Sequence, residues 1–324
     1  MPRIVGICLA IALCTPALQA QDKRPLPPSE AKAAFLKLLD RLLVNPDVKN
    51  DAEPVEKNGL TQYRWSFASE KKADGTFERV PVLAVVPTGM KDKLPVIIVL
   101  HGTGGSKERM IGWLNEFAKL GLEAIAIDAR YHGGRSLSMK GSASYVAAIT
   151  RAWQTKPGQA HEHPFYYDTV WDLWRLVDLL RVSKDRRAIG MMGVSMGGIE
   201  TWLAASVDDR VKVAAPLIAV QSFRWSLEND RWQGRANTIK AAHEAAARDL
   251  GESKVNRRVC RELWAKWCRA SWTISTARTC FRCSPAERCS LAAAIRTRTA
   301  RSRAPAWRSA PPRPPSPSPA TSGN

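Results

Sequence analysis

The segment Gly193-Val194-Ser195-Met196-Gly197 constrains this 324-residue chain more than any other. It lies between a short apolar run, residues 188–194, and a helix-forming stretch, residues 198–205. A strand that turns directly into a helix must hold the residue at the turn in a strained conformation. Side chains two positions either side would collide across such a turn, so Gly193 and Gly197 have a steric job there. The arrangement lifts the Ser195 hydroxyl to the end of a sheet, where it can act as a nucleophile. The bland reading of the same residues is a Gly-rich helix start with no chemistry.

The rest of the body has matching periodicity. Strand-like runs occur at 62–68, 77–86, 95–100, 122–127, 188–194 and 211–220, with helical spacing at 33–43, 107–120, 143–153 and 165–182. Pro95-Val96-Ile97-Ile98-Val99-Leu100 is apolar throughout, as a central parallel strand buried on both faces requires. Strands alternating with helices predict an α/β fold, a doubly wound and mostly parallel sheet.

His101-Gly102-Thr103-Gly104-Gly105 follows that central strand directly. A glycine loop there lets backbone N–H groups face a developing oxyanion, joined by the N–H of Met196 after the nucleophile. Thr103 is the first candidate for the upstream donor and Gly104 the second. The alternative is a tight turn without a ligand. His101 reads as a structural residue beneath the loop.

Residues from about 80 to 250 resemble the α/β-hydrolase superfamily, in its dienelactone-hydrolase-like and prolyl-oligopeptidase-like esterase branch. The resemblance rests on the glycine loop, on Asp128-Ala129-Arg130-Tyr131-His132-Gly133 and on Gly193-Val194-Ser195-Met196-Gly197-Gly198. His163-Pro164-Phe165-Tyr166-Tyr167-Asp168 and Gln221-Ser222-Phe223-Arg224-Trp225 resemble a subgroup of the same proteins. The resemblance implies hydrolysis of a small-molecule ester or acyl substrate through an acyl-enzyme, without cofactor or metal. It also implies a catalytic acid after the seventh strand and a catalytic His after the eighth.

The chain departs from that pattern. Its five histidines are His101, His132, His161, His163 and His243, and none follows 243. Without a base a serine hydroxyl is a poor nucleophile at neutral pH. His132 is the candidate for a substitute base, because it follows a strand whose end lies near the site. His161-x-His163 reads as a surface loop, not a metal site.

The formal charge of +19 is divided unevenly. Residues 269–324 carry +9 through ten Arg against the single acid Glu287, and the rest carry +10. From Arg269 onward only Ile274, Phe281, Leu291 and Ile295 come from the Val/Ile/Leu/Met/Phe set, beside eight Pro and nine Ser. That is too little apolar surface to offset chain entropy, so disorder is expected. The composition is that of a GC-rich gene read in a shifted frame. Codons for residues 267–278 permit Val-Pro-Gly-Ile-Leu-Asp-Asp-Phe-Asp-Gly-Pro in another frame, which resembles an acid-bearing loop. The tail has two rival readings, a zinc cluster of Cys268, Cys280, Cys283 and Cys289 and a polyanion-binding arm.

Residues 1–20 have the charged, apolar and small-residue pattern of a signal peptide, which predicts a periplasmic or secreted protein without a membrane anchor after cleavage. The expected layout is this signal, an N-terminal extension with a helix (21–60), a hydrolase domain lacking its last strands (61–266) and the Arg/Pro/Ser-rich tail (267–324). The expected function is an exported serine esterase by ancestry, impaired as translated because triad acid and base are missing. A non-catalytic exported binding protein on the same fold is the alternative. No nucleic-acid partner is expected, and no oligomeric state is specified.

Overall fold

The computed structural model describes residues 28–90, 94–137, 140–157, 159, 166–181, 188–219 and 222–267. The signal segment, His161, His163 and the tail from 268 lie outside them. In chain order the elements are α1 (Pro28–Leu38), β1 (Lys49–Lys57), β2 (Leu60–Lys71), β3 (Phe77–Pro87) and β4 (Val96–Leu100). Next come α2 (Ile111–Lys119), β5 (Glu123–Ile127), α3 (Ala143–Gln154), α4 (Tyr166–Arg181), β6 (Ile189–Val194) and α5 (Met196–Val207). The last are β7 (Val211–Leu217), α6 (Phe223–Glu228), α7 (Gln233–Thr238), α8 (Lys240–Asp249) and α9 (Arg257–Trp267).

The seven strands form one sheet in the order β1-β2-β3-β5-β4-β6-β7. The pairs among β1, β2, β3 and β5 are antiparallel, and β5–β4, β4–β6 and β6–β7 are parallel. The α/β expectation therefore holds, and β7 is the last strand on its side among the described residues. The continuous apolar run of β4 has a simple cause. Val96, Ile98 and Leu100 pack into a core with α1, α3, α4, α5, α8 and α9, while Ile97 and Val99 pack with Leu114 and Ala118 of α2 on the other face. Alternation along a strand buried on both sides leaves no polar position.

Several local expectations shift. The first helix spans Pro28–Leu38 instead of 33–43, and Leu42 and Leu43 beyond it are exposed. A 3-10 turn at Lys107–Met110 precedes α2. β1 has no counterpart in the sequence reading, because every one of its residues is exposed and the hydrophobic alternation that marks a strand is absent. The run at 211–220, sixth among the expected strands, is the seventh strand of the structure, β7. α9 packs Val259, Cys260, Leu263 and Trp264 into the core, so the folded body runs to the end of the described residues.

Gly112 lies in the first turn of α2, where an added Cβ would meet nothing within 4 Å. Gly112→Ala should raise stability by roughly 0.5–1 kcal/mol, since only backbone freedom of the unfolded chain is lost. A urea titration with unchanged slope and a higher midpoint would verify it.

Candidate active site

Sheet topology brings the singled-out loops together. β4 and β6 are parallel neighbours with Leu100 paired to Gly193, so the glycine loop and the serine turn leave the sheet side by side. The loop after β5 leaves at the same end, the carboxyl edge where ligands bind in open α/β sheets.

Ser195 has φ 55° and ψ −112°, a conformation that costs a non-glycine residue of order 1–3 kcal/mol. The surroundings enforce it. A Cβ on Gly193 would fall 2.2 Å from Gly197 O, and one on Gly197 would fall 2.5 Å from Leu100 O. Ser195 N–H donates to Leu217 O of β7 at 2.9 Å, and Ser195 O accepts from Ile199 N–H at 3.0 Å. The turn is thus anchored to three strands and to α5. A Cβ at Gly102 would lie 3.7 Å from the Ser195 Cβ, which sets the glycine loop directly against Ser195. Gly105 N–H closes a turn onto Gly102 O at 2.9 Å, and Gly104 has φ 75°. Among the described residues no acceptor takes the N–H groups of Thr103, Gly104 or Met196.

Of the five histidines, His101, His132 and His243 lie among the described residues, and none of these three hydrogen-bonds to Ser195. His101 donates from Nδ1 to Gly102 O (2.8 Å) and accepts Ala129 N–H at Nε2 (3.1 Å). Both nitrogens are used to hold the glycine loop to the end of β5, which is the structural role expected. His132 donates from Nδ1 to Arg130 O at 2.9 Å, and its buried Nε2 has no partner among the described residues. Its ring stands between those of His101 (5.3 Å) and Tyr145 (5.1 Å), and burial pushes its pKa down to about 4. No hydrogen bond joins it to Ser195 among the described residues. His243 sits in the core, bound to Ile239 O and to the Trp264 indole N–H (2.9 Å).

Carboxylates to which the sequence reading gave no role do the scaffolding. Buried Asp128 accepts from Lys107 N–H, Lys107 Nζ and Gly134 N–H at 2.8–3.0 Å, pinning two loops below the site. Fully buried Asp172 takes Arg130 through two bonds (3.1 and 3.0 Å) and Arg135 through a third (2.9 Å). Burial alone would raise its pKa, but the two guanidiniums pull it from 3.8 down to about 2. Arg130 also pairs with Glu70, which Arg41 bridges to Asp168. The only hint of this in the sequence was acids on an otherwise apolar helix.

Glu200, one turn into α5, is fully buried with Oε2 unpartnered among the described residues. Burial first, and then the Asp172 charge, hold its pKa well above the usual 4.5, against an opposing pull from Arg135 and a Thr169 hydrogen bond. Folding therefore takes up a proton here. The resulting stability is complete below pH 4.5 and declines as pH rises toward the folded-state value. Glu200→Gln should leave the melting temperature unchanged near pH 4.5 and raise it at mildly alkaline pH; a parallel decline in both proteins would refute this.

Residues 38–224 match the acetyl xylan esterase (AXE1) family. The YtaP protein of Bacillus subtilis (strain 168), described as a hydrolase, is 27% identical over 153 residues, 43% of this chain and 48% of that protein. The chain thus spans about half the length of the curated relative it matches. Acetyl xylan esterase 1 of Thermoanaerobacterium sp. JW/SL YS485 superposes with a TM-score of 0.51 at 16% identity, over 78% of this chain and 76% of that one. At that identity the likeness is one of fold. An acetyl xylan esterase of Paenibacillus sp. R4 is 22% identical over 77% of this chain and 71% of its own, with a TM-score of 0.47.

Proposed function

This chain belongs to the acetyl xylan esterase (AXE1) family, and from that premise we propose that it is a periplasmic or secreted serine esterase of small acyl esters, with acetylated saccharides the first substrate class to test. The observation that carries the reading is the strained Ser195 on a turn that tolerates no Cβ at Gly193 or Gly197. Ser195 Oγ attacks the ester carbonyl. The N–H of Met196, with that of Thr103 or Gly104, receives the oxyanion of the tetrahedral intermediate. Collapse expels the alcohol and leaves an acyl-serine, which water then hydrolyses.

Both steps need a base. His101 and His243 spend both ring nitrogens on the scaffold, and His132 is buried with its Nδ1–H committed. Among the described residues no histidine hydrogen-bonds to Ser195, so the reading is of an esterase impaired as translated, in keeping with a tail read in a shifted frame from a point before Arg269. Sequencing the gene across codons 255–275 tests the frame, and a tryptic peptide from the tail of the natural protein overturns it. Amino-terminal sequencing of exported protein, expected to begin at Gln21, tests the signal.

Imidazole in solution tests the catalytic assignment. It should accelerate turnover of an aryl acetate by at least tenfold (about 1.4 kcal/mol) in the wild-type chain and not at all in Ser195→Ala. Rescue that survives Ser195→Ala removes Ser195 from the mechanism. Rapid fluorophosphonate labelling without imidazole would instead overturn the impairment. A cooperative melt with neither labelling nor rescue would favour a non-catalytic binding protein on this fold.

A further inference from the structure

Beside the glycine loop lies a groove of about 680 Å³ that the acyl-transfer steps do not use. It begins at Ser142, whose backbone N stands 3.4 Å from the position a Gly104 Cβ would take. From there it follows α3 as far as Arg151, about 13 Å at the helical rise per residue.

The sequence of α3 makes the groove. Ala143, Val146, Ala147 and Thr150 recur at three- and four-residue spacing and share one face of the helix. Tyr145, Ala148, Ile149 and Ala152 fill the buried face, where the Tyr145 ring packs against His132. Small side chains on the first face leave a trough against Ala241 of α8. Its two walls are tied together at the far end. Asp249 of α8 accepts from the Trp153 indole N–H at 2.8 Å and from Gln154 Nε2 at 3.3 Å, and Lys266 of α9 donates to Thr155 O at 2.8 Å. The groove is therefore preformed.

Its charges are of one sign. Lys140 stands at the end nearest Gly104, exposed and without an ion pair among the described residues, and Arg151 stands at the other end. No acidic side chain lines the groove among the described residues. The Ser142 hydroxyl caps nothing and has no hydrogen-bond partner among them. Thr150 Oγ1 spends its proton on Val146 O at 2.9 Å, which leaves its oxygen to accept.

Resting on the esterase reading, we propose that this groove holds the alcohol portion of the ester and that the alcohol is an anionic saccharide, with a carboxylate facing Lys140 and Arg151. A small acyl group needs no space of this size, so the groove serves the alcohol. The floor of small side chains lets a sugar ring lie close to the helix, and the Ser142 and Thr150 oxygens meet its hydroxyls. A neutral sugar would leave both cations unanswered. Residues 269–324, at +9, have the wrong sign to fill the same groove.

Calorimetric titration of the full mature chain tests this with two sugars, cellobiouronate, a disaccharide with one carboxylate, and cellobiose, its uncharged counterpart. Cellobiouronate should bind about tenfold more tightly at low salt, and the preference should shrink as salt is added. Lys140→Gln and Arg151→Gln should each reduce the preference about threefold, and together remove it. Ala147→Trp, which fills the trough, should abolish binding of both sugars while the melt stays cooperative; if it does not fold, the two exposed cations decide the matter. Equal affinity for the two sugars overturns the proposal, as does failure of both to bind or a preference that survives the double variant. Inorganic phosphate that displaces cellobiouronate at equal concentration also overturns it, by making the groove a general anion site. Binding needs no chemistry at Ser195. Lost imidazole rescue with the preference intact would therefore fault the esterase reading, and a lost preference with rescue intact would fault this inference alone.

Discussion

Gly193→Ala and Gly197→Ala are each expected to abolish the folded state at ordinary temperature, not merely to slow the enzyme. The added methyl at 193 would sit 2.2 Å from Gly197 O and 2.3 Å from Gly197 C; that at 197 would sit 2.5 and 2.6 Å from the carbonyl oxygens of Leu100 and His101. All of these are backbone atoms at the centre of the sheet, so no side-chain rotation relieves the contact. The turn must open, which separates Ser195 from the N–H of Met196 and detaches α5 from β4 and β6. Destabilisation above about 4 kcal/mol is the expected scale, close to the whole stability of an ordinary domain. Circular dichroism melts and recovery in the soluble fraction measure it. A soluble, cooperatively folded Gly193→Ala protein would mean the turn is not built as described. Gly112→Ala is the matched control, since its methyl meets open space.

The second large effect is at Asp172. Asp172→Ala leaves Arg130 and Arg135, with side chains only 12% and 6% exposed, sharing their remaining partners Glu70, Asp168 and Glu78. Removing one partner of a buried ion network costs about 3–5 kcal/mol, because the opposite charges stay buried without compensation. For a body of this size that is a fall of roughly 6–20 °C in melting temperature. Asp172→Asn should fall between this and wild type, since it keeps the volume and one acceptor. The pH dependence separates the charge from the packing. With its pKa lowered, Asp172 contributes stability that is present above its ordinary 3.8 and lost as pH falls through about 2. Both proteins should lose stability on acidification, because Glu70 and Glu108 are also held below their ordinary values, but Asp172→Asn should lose less of it. Glu200, buried on α5, contributes with the opposite sign at higher pH.

How legible the molecule was depended on the sequence distance of the forces involved. The serine turn was readable because its requirements are steric and fall within five residues: two glycines, a preceding strand and a following helix. β4 was readable because a strand buried on both faces has no polar position to disguise it. β1 was not, because it is held by backbone pairing to β2 with every side chain in solvent. The role of Asp172 was hidden for a related reason. An acid on α4, one of three there, has no local mark that distinguishes a solvated charge from one bound by arginines 42 and 37 residues away. The histidines show the same limit. His132 and His243 are both buried and both lowered to about 4, yet one stands under the glycine loop and the other packs on Trp264.

The class of fold, the serine turn with its two glycines and the lack of any histidine after residue 243 were all legible in the chain before folding. Each is a matter of local sterics, periodicity or simple presence. The tertiary structure alone decided that β5 lies between β3 and β4, that Asp128 and Asp172 clamp the loops beneath Ser195, and that His101 is consumed as a strut. These depend on strand order and register, which arise from the balance of contacts across the whole sheet and are written in no single stretch of chain.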